Sequence, residues 1–397
     1  MATRRGEKEL QVDGRELPPL GMSPAAFLRN YWQKRPLLVR NAFPGLRPPI
    51  SADELAGLAC EPYALSRLVV HDAGHDQWTV ETGPFEESRF ADLPEEDWTL
   101  LVQDVDKWDR DVAGLLEHFR FLPDWRIDDI MVSFAAPGGS VGAHVDQYDV
   151  FLLQASGHRH WMIDTRVDAP LAFRPDQPLK LLESFDPDEE WLLGPGDMLY
   201  LPPGMPHHGV AMGETPCLTC SIGLRAPSLA ELTVDFAESL AEQLPESLRY
   251  ADPDLAPARE PGRIDAAALA RVEALLHQAL ASDGPGRAEW FGRFITRYRS
   301  AGLAAPRPRP LTPAAFDKRL TGRGVLLRHP LSRFAFLPRG RQARLFVAGE
   351  SHPAPLALAR RLCVPEPLAL SEVAALDEDG RALVRTLVNA GHLEFGR

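Results

Sequence analysis

Apolar residues alternate with polar ones in short runs along the first part of the chain and recur at helical spacing after it. The runs "DIMVSFAAPGG" and "YDVFLLQASG" are bounded by Gly and Pro, which is typical of a β-rich domain with many turns. From Ser228 the stretch "SLAELTVDFAESLAEQL" opens with a capping box formed by Ser228 and Glu231 and then repeats apolar residues every four positions. The pattern predicts a β-rich domain over residues 1–227, followed by helices.

Residues 228–304 form a predicted helical domain. A second helix is expected in "IDAAALARVEALLHQALAS", and a third carries Trp290, Phe294 and Tyr298 at helical spacing. Three helices make a thin core by themselves, so we expect part of their apolar surface to meet another chain or the first domain. The alternative is that they simply pack on one another. The apolar positions of the second helix are Leu269, Val272, Leu276 and Leu280.

Residues 305–397 form a third predicted domain after the proline-rich linker "AAPRPRPLTP". Short strands around "GVLLRHP", "RFAFLPR" and "ARLFVAGE" precede helices around "APLALARRL" and "GRALVRTLVNAG", which indicates a winged-helix-like module. Residues 305–350 hold nine arginines and Lys318 against only Asp317 and Glu350. Direct nucleic-acid contact is one interpretation of this charge. We favour a solvated face on an interaction module, because no recognition-helix pattern accompanies the arginines.

Composition excludes several classes of protein. No apolar run approaches the roughly 20 residues that cross a bilayer, and the N-terminal basic residues precede no apolar leader, so we expect a cytoplasmic protein. Four scattered cysteines do not form a disulfide scaffold, and we expect Cys217 and Cys220 to be buried structural residues of a strand. The net charge of −13 suits a basic protein partner better than a nucleic acid.

Two motifs carry the candidate metal chemistry. "GGSVGAHVD" leads glycines into a strand in which His144 and Asp146, two residues apart, face the same side. "GDMLYLPPGMPHHG" places His207 after a Pro-Pro-Gly turn, and together the two stretches resemble the metal-binding motifs of double-stranded β-helix (cupin-type) barrels. Two imidazoles and one carboxylate on one side of a cation leave three positions open, as in non-haem Fe(II) oxygenases. The motif spacing selects His207 rather than His208 as the third ligand.

Arg159 is the candidate for binding an organic cofactor. We expect its strand to pair back across "QASG" with the preceding apolar run, with Arg159, Trp161 and Ile163 on one face. Many iron oxygenases take electrons from 2-oxoglutarate, whose second carboxylate suits a fork-shaped guanidinium deep in the barrel. The alternative is a surface arginine at a hairpin. His158 and His160 fall on the opposite face and are expected to take no part.

The sequence resembles those of a known family, the bacterial ribosomal oxygenases of the JmjC class. The resemblance rests on "FLRNYWQKRPLLVRNAFP", "SFAAPGGSVGAHVDQYDVFLLQASGHRHW", "GDMLYLPPGMPHHGVA" and "SIGLRAPS". It implies an α+β chain with a double-stranded β-helix (JmjC/cupin) barrel over 1–227, a helical dimerisation domain over 228–304 and a winged-helix-like domain over 305–397. The implied protein is a homodimer.

The resemblance also implies an activity: Fe(II)- and 2-oxoglutarate-dependent hydroxylation of an arginine side chain of large-ribosomal-subunit protein sixteen. His144, Asp146 and His207 match the metal ligands, and Arg159 matches the oxoglutarate-binding residue. The implied substrate-binding residues, with Asp128 as an alternative to the first, are Asp129, Met131, Tyr148 and Ser221.

Two other functions stay open at the level of sequence. A histidyl hydroxylase acting on another ribosomal protein would keep the cofactors and change the target. A metal-free cupin-like binding module belongs to a different class, and the intact set of His144, Asp146 and His207 together with Arg159 argues against it.

Overall fold

The computed structural model describes residues 10–281, 286–297 and 304–396. Residues 1–9 and the predicted helical position Tyr298 lie outside these ranges. The chain divides into two compact units, Met1–Ala226 and Pro227–Arg397. Within the described ranges, no helix has the length and apolar character needed to span a bilayer.

The first unit is built mainly of strands, with short helices near its beginning. Its helices are α1 (Pro24–Asn30), α2 (Ala52–Ala59), α3 (Glu87–Ala91), α4 (Val105–Trp108) and α5 (Arg110–Gly114). Its strands are β1 (Gln11–Asp13), β2 (Leu37–Arg40), β3 (Ser66–Asp72), β4 (Gln77–Thr82), β5 (Trp98–Val102), β6 (Ile127–Ala135), β7 (His144–Val145), β8 (Val150–Ser156), β9 (His158–Ile163), β10 (Glu189–Leu193), β11 (Met198–Leu201), β12 (Pro206–Met212) and β13 (Cys217–Leu224).

These strands form two sheets. The larger has the order β1-β2-β11-β8-β13-β6-β5-β3-β4, and the smaller has the order β10-β9-β12-β7. Consecutive strands such as β7 and β8, or β8 and β9, fall in different sheets, which is the arrangement of a double-stranded β-helix. The predicted barrel fold is therefore confirmed.

One predicted pairing is wrong. We expected the strand of Arg159 to pair with the apolar run that precedes it, but β8 belongs to the large sheet and β9 to the small one. Gly157, at a positive φ of 62°, turns the chain between the two sheets instead of closing a hairpin. Strand β9 pairs with β10 and β12, so Arg159 lies opposite Leu193 on one side and Ala211 on the other.

The main core lies on the outer face of the large sheet. Phe27 of α1 packs edge-on against Tyr200 of β11 with ring centroids 5.0 Å apart, and Ile130 and Val132 of β6 belong to the same buried cluster. Because side chains alternate along a strand, Asp129 and Met131 of β6 face the other way, towards the interior of the barrel. The outer face therefore stabilises the sheet and leaves the inner face for function.

The second unit combines helices with two small sheets. Its helices are α6 (Leu229–Ala241), α7 (Ala266–Ala281), α8 (Gly286–Thr296), α9 (Pro313–Leu320), α10 (Leu356–Leu362), α11 (Leu370–Ala374) and α12 (Glu378–Asn389). Its strands are β14 (Val325–Arg328), β15 (Phe334–Arg339), β16 (Gln342–Val347), β17 (Glu350–Pro355), β18 (Leu368–Ala369) and β19 (Leu393–Gly396), in the orders β18-β14-β19 and β15-β16-β17.

The predicted helices of this unit are confirmed. Helix α6 begins with the capping box of Ser228 and Glu231. Helix α8 packs so closely on β16 that a Cβ on Gly292 would lie 2.3 Å from the ring of Phe346. Trp290 of the same helix donates to Asp235 of α6 at 2.7 Å. Helix α8 thus contacts both α6 and the sheet β15-β16-β17 of this unit.

Candidate active site

The side chains of His144, Asp146 and His207 meet at one place in the barrel. A ligand atom of each lies within 4.8 Å of the other two. His207 on β12 pairs directly with His144 on β7, and their ring centroids are 4.2 Å apart. Nε2 of His207 lies 3.8 Å from Oδ2 of Asp146. Two imidazole nitrogens and one carboxylate oxygen on the same side of a cation fit Fe(II) with open coordination positions.

Backbone hydrogen bonds fix which ring nitrogens face the cation. Nδ1 of His144 donates to the carbonyl of Gly142 at 3.0 Å, and Nδ1 of His207 donates to the carbonyl of Met205 at 2.9 Å. A carbonyl only accepts, so both rings carry their proton on Nδ1 and leave the Nε2 lone pair for a metal. Burial lowers the pKa of His207 to about 4, so this ring is neutral near pH 7, as a metal ligand must be.

The Pro-Pro-Gly turn holds the two halves of the site together. Gly204 has a positive φ of 78°, and its backbone N–H donates to the carbonyl of Asp146 at 2.7 Å. Only glycine adopts this conformation without strain. The turn therefore places the start of β12, with His207, next to the segment that carries Asp146.

Arg159 is a buried cation inside the barrel. Only 3% of the residue is exposed, and Nη2 donates to the carbonyl of Gly209 at 3.1 Å. Nε and Nη1 are buried without a hydrogen-bond partner among the described residues. Burial lowers the pKa of this guanidinium, while the neighbouring Cys217 opposes that shift. Buried donors without such partners are rare, and Nη1 matches a ligand carboxylate, whereas Nε and Nη2 lie on the edge of the guanidinium nearest Gly209.

Gly209 makes room for Arg159. A Cβ at this position would lie 2.7 Å from Nε of Arg159 and 2.6 Å from the ring of Trp161, both closer than atoms can approach. The guanidinium also lies over the Trp161 ring, 5.1 Å from its centroid. The residue at position 209 therefore helps to fix the arginine, and the sequence offered only an unexplained glycine after the two histidines.

The four predicted substrate-binding residues lie on inward-facing positions or beside the metal ligands. Ser221 of β13 pairs with Met131 of β6, and Asp129 lies two residues away on the same face. The alternative Asp128 points to the opposite face of β6. Tyr148 is 41% exposed as a whole residue, but burial of its hydroxyl, followed by the charges of Asp146 and Asp129, raises the pKa of that group.

The carboxyl group of Asp129 has a strongly raised pKa. Its side chain is buried and accepts a hydrogen bond from the backbone N–H of Asp104 at 3.0 Å. Burial and the neighbouring charges of Asp104 and Asp128 raise its pKa to about 7. A buried carboxyl with such a pKa gains most from a cationic ligand, because the cation offsets both penalties.

Asp149 is a residue of the site that the sequence did not single out. Its carboxylate is fully buried and accepts from Gln33 at 2.8 Å, from the Tyr200 hydroxyl at 2.6 Å and from Arg126 at 3.1 Å. These contacts anchor the chain immediately after Asp146 and Tyr148. The only signal in the sequence was an acidic residue at the edge of an apolar run.

The predicted burial of the two cysteines on a strand is confirmed. Cys217 and Cys220 are buried on β13, with Cys220 in the outer core and Cys217 beside Ala135 and Ala211. His158 is exposed, and His160 lies 3.3 Å from Glu190. His208 is bound to Ser140, with Nε2 and Oγ 2.9 Å apart, and so does not compete for the metal position.

A double-stranded β-helix with two histidines, one aspartate and a buried arginine defines the class of cupin-type, metal-dependent oxygenases. Comparison with known families agrees with this class. A JmjC domain model matches residues 114–232, a ROXA-like winged-helix model matches residues 286–394, and a model of the AraC-like ligand binding domain matches residues 186–288.

Individual proteins give a more specific result. The chain is 40% identical over 307 residues to the ribosomal protein uL16 3-hydroxylase of Escherichia coli, covering 76% of this chain and 79% of that protein. It is 40% identical over 231 residues to a probable ribosomal oxygenase of Haemophilus influenzae, covering 57% of this chain and 56% of that protein. The chain belongs to the ribosomal oxygenases of the JmjC class.

Solved structures match over almost the whole length. The ribosomal oxygenase YcfD from Escherichia coli superposes with a TM-score of 0.79 at 34% identity, covering 95% of this chain and 98% of that one. A structure of YcfD in complex with cobalt and 2-oxoglutarate gives a TM-score of 0.80 at 34% identity, covering 95% and 99%. The predicted family and fold class are confirmed, and this chain is an oxygenase.

Proposed function

We propose that this chain is an Fe(II)- and 2-oxoglutarate-dependent dioxygenase that hydroxylates an arginine side chain of ribosomal protein uL16, the sixteenth protein of the large subunit. The observation that carries the proposal is the buried Nη1 of Arg159, which has no hydrogen-bond partner among the described residues, in the barrel that holds His144, Asp146 and His207. The uL16 hydroxylase relative and the cobalt and 2-oxoglutarate complex of YcfD support it.

His144, Asp146 and His207 would hold the iron. When bound, iron and 2-oxoglutarate activate dioxygen, place one oxygen atom in a C–H bond of the substrate and convert the oxoglutarate to succinate and carbon dioxide. The protein fixes the two imidazoles through their Nδ1 protons and keeps His207 neutral by burial. Arg159 would bind the far carboxylate of the oxoglutarate through Nη1, on the side of the guanidinium away from Gly209, and so set its orientation.

Asp129 would bind the substrate guanidinium. Burial raises the pKa of Asp129 to about 7, and the charge of a substrate guanidinium would favour the ionised carboxylate, which would then pair with it. Met131 and the partly exposed ring of Tyr148 would enclose the aliphatic part of the side chain, and Ser221 would add a hydroxyl beside Met131. A guanidinium can present two parallel N–H donors to one carboxylate and an imidazole cannot, so this arrangement suits arginine better than histidine.

The helical segment 228–304 would form a homodimer, as the resemblance to the family implies. Helix α7 has four apolar side chains on one face that are between 44% and 59% exposed. Several half-exposed apolar side chains on one face of a helix are typical of an interface. Its residues are Leu269, Val272, Leu276 and Leu280.

The activity is tested by incubating the purified protein with Fe(II), 2-oxoglutarate and isolated ribosomal proteins while succinate is measured. We expect His207→Ala to abolish succinate formation, because two protein ligands hold Fe(II) poorly. The matched control is His158→Ala, which removes an exposed histidine on the outer face of β9 and leaves turnover unchanged. Substantial turnover by His207→Ala would refute the metal assignment.

A further inference from the structure

Ser140 connects the two metal-binding motifs through one hydroxyl. Ser140 is 5% exposed, and its Oγ contacts three groups: the carbonyl of Gly209 at 2.8 Å, the backbone N–H of Gly142 at 3.0 Å and Nε2 of His208 at 2.9 Å. Gly142 belongs to the motif that precedes His144, whereas Gly209 and His208 follow His207. A single side chain thus joins both halves of the site.

The direction of these hydrogen bonds follows from counting protons. The hydroxyl of Ser140 has one proton, the carbonyl of Gly209 only accepts, and the N–H of Gly142 only donates. All three contacts are satisfied together when the hydroxyl donates to Gly209 and Nε2 of His208 donates to the hydroxyl. His208 is therefore the donor of the third hydrogen bond to the Ser140 hydroxyl group.

The carbonyl of Gly209 is the link to the buried cation. It accepts from Ser140 at 2.8 Å and from Nη2 of Arg159 at 3.1 Å, which uses both of its lone pairs. Nη2 is the one nitrogen of this guanidinium that has a partner, since Nε and Nη1 have none among the described residues. The direction of the Gly209 carbonyl therefore decides where the unpartnered nitrogens point.

We propose that Ser140, supported by His208, is a positioning residue that holds the Gly209 carbonyl and so orients Arg159 for the distal carboxylate of a 2-oxo dicarboxylate. The inference rests on the proposed function, because it assigns that carboxylate to Arg159. Backbone contacts fix the Ser140 segment independently: Ser140 bridges to Val210, and Ala211 donates to Gly139 at 3.0 Å. Removal of the hydroxyl should therefore leave the chain path intact while it releases the Gly209 carbonyl, the Gly142 N–H and Nε2 of His208.

The test measures 2-oxoglutarate binding to the Co(II)-loaded protein by calorimetry, together with KM and kcat in the Fe(II) form. We expect Ser140→Ala to raise the Kd and the KM for 2-oxoglutarate about three- to tenfold, the range for one lost hydrogen bond, while kcat at saturating 2-oxoglutarate stays within about twofold. The matched control is Ser66→Ala, which removes another buried hydroxyl, donating to the Ala59 carbonyl at 3.2 Å. This control should leave the Kd unchanged.

A second pair of variants tests the same network from its other end. His208→Leu removes the donor to Ser140 and should weaken 2-oxoglutarate binding, whereas His208→Gln keeps an N–H donor and should restore most of it. Since both side chains act through the same carbonyl, Ser140→Ala combined with His208→Leu should be no weaker than the worse single variant.

The outcomes separate the inference from the proposed function. If the wild-type Co(II) protein binds no 2-oxoglutarate, the proposed function fails and the inference fails with it. If the wild type binds but Ser140→Ala and His208→Leu keep its Kd within about twofold, only the inference is overturned. A lower melting temperature with an unchanged Kd would mean that the serine is purely structural.

Discussion

The carbonyl oxygen of Gly209 accepts a hydrogen bond of 3.1 Å from Nη2 of Arg159, across two adjacent strands of the small sheet. The hydrogen at the α-carbon of Gly209 leaves just enough room for the guanidinium, since a Cβ there would lie 2.7 Å from Nε. The glycine at position 209 is therefore required for the buried position of the Arg159 guanidinium.

Gly209→Ala should displace Arg159 and weaken 2-oxoglutarate binding by about tenfold, because the added methyl overlaps both the guanidinium and the Trp161 ring. The measurement is the KM for 2-oxoglutarate. Gly194→Ala is the control, since its Cβ would meet His158 at an ordinary 3.5 Å. An unchanged KM in Gly209→Ala would show that Arg159 does not need this geometry.

Arg159→Ala should raise the Kd for 2-oxoglutarate by about 100-fold, the usual effect of removing one partner of a buried charge pair. Arg159→Lys should recover only part of the loss, because an ammonium does not reproduce the fork of two nitrogens. Isothermal calorimetry on the Co(II)-loaded protein gives both values. A normal Kd in the alanine variant would mean that another basic residue binds the carboxylate.

The pH dependence of substrate use should report Asp129. Its pKa is raised to about 7, so the carboxylate is largely neutral at pH 6 and ionised at pH 8. We expect kcat/KM for the arginine-containing substrate to increase over this interval, measured at saturating 2-oxoglutarate. Asp129→Asn should have a low kcat/KM and lack this part of the increase, and the same increase in that variant would exclude Asp129 as its source.

The same carboxyl should also affect stability, with a defined sign. A folded-state pKa above the ordinary 3.8 means that ionisation opposes folding, and its contribution to the free energy of unfolding is lost as the pH rises from about 4 to 7. Asp129→Asn should therefore gain stability relative to the wild type at pH 8 compared with pH 4. Urea unfolding at the two pH values measures this difference, and an equal difference at both would contradict the shifted pKa.

Asp149→Ala should destabilise the barrel by about 3–5 kcal/mol, because it leaves the Arg126 guanidinium partly buried without its acid. Tyr200→Phe removes the hydrogen bond to the same carboxylate and the acceptor of the Gln33 backbone N–H, and should cost about 2 kcal/mol. Chemical unfolding gives both values. Equal losses in the two variants would mean that the charge pair contributes little beyond the hydrogen bonds of the Tyr200 hydroxyl.

Local patterns predicted much of this chain. The capping box of Ser228 and Glu231 lies within one turn, and the start of α6 follows from those two residues alone. The motif spacing likewise selected His207, because the Pro-Pro-Gly turn fixes where the next strand begins. Such features depend on residues that are close together in the sequence, so the sequence predicts them.

The sequence did not predict features that depend on distant partners. Asp149 meets Gln33, Arg126 and Tyr200 at separations of 116, 23 and 51 residues, and Ser140 meets His208 at a separation of 68. The pairing of β9 was mispredicted for the same reason, because a short Gly-containing connection suits both a hairpin and a step between sheets. Only the folded arrangement decides between them.

The measurement that most directly tests the account is tandem mass spectrometry of uL16 from the same organism after incubation with the protein, Fe(II) and 2-oxoglutarate. We predict one added oxygen atom on a single arginine side chain, dependent on 2-oxoglutarate and absent with the Asp146→Ala variant. An oxygen atom on a histidine, or none while succinate still forms, would contradict the assignment of arginine to the pocket of Asp129, Met131 and Tyr148.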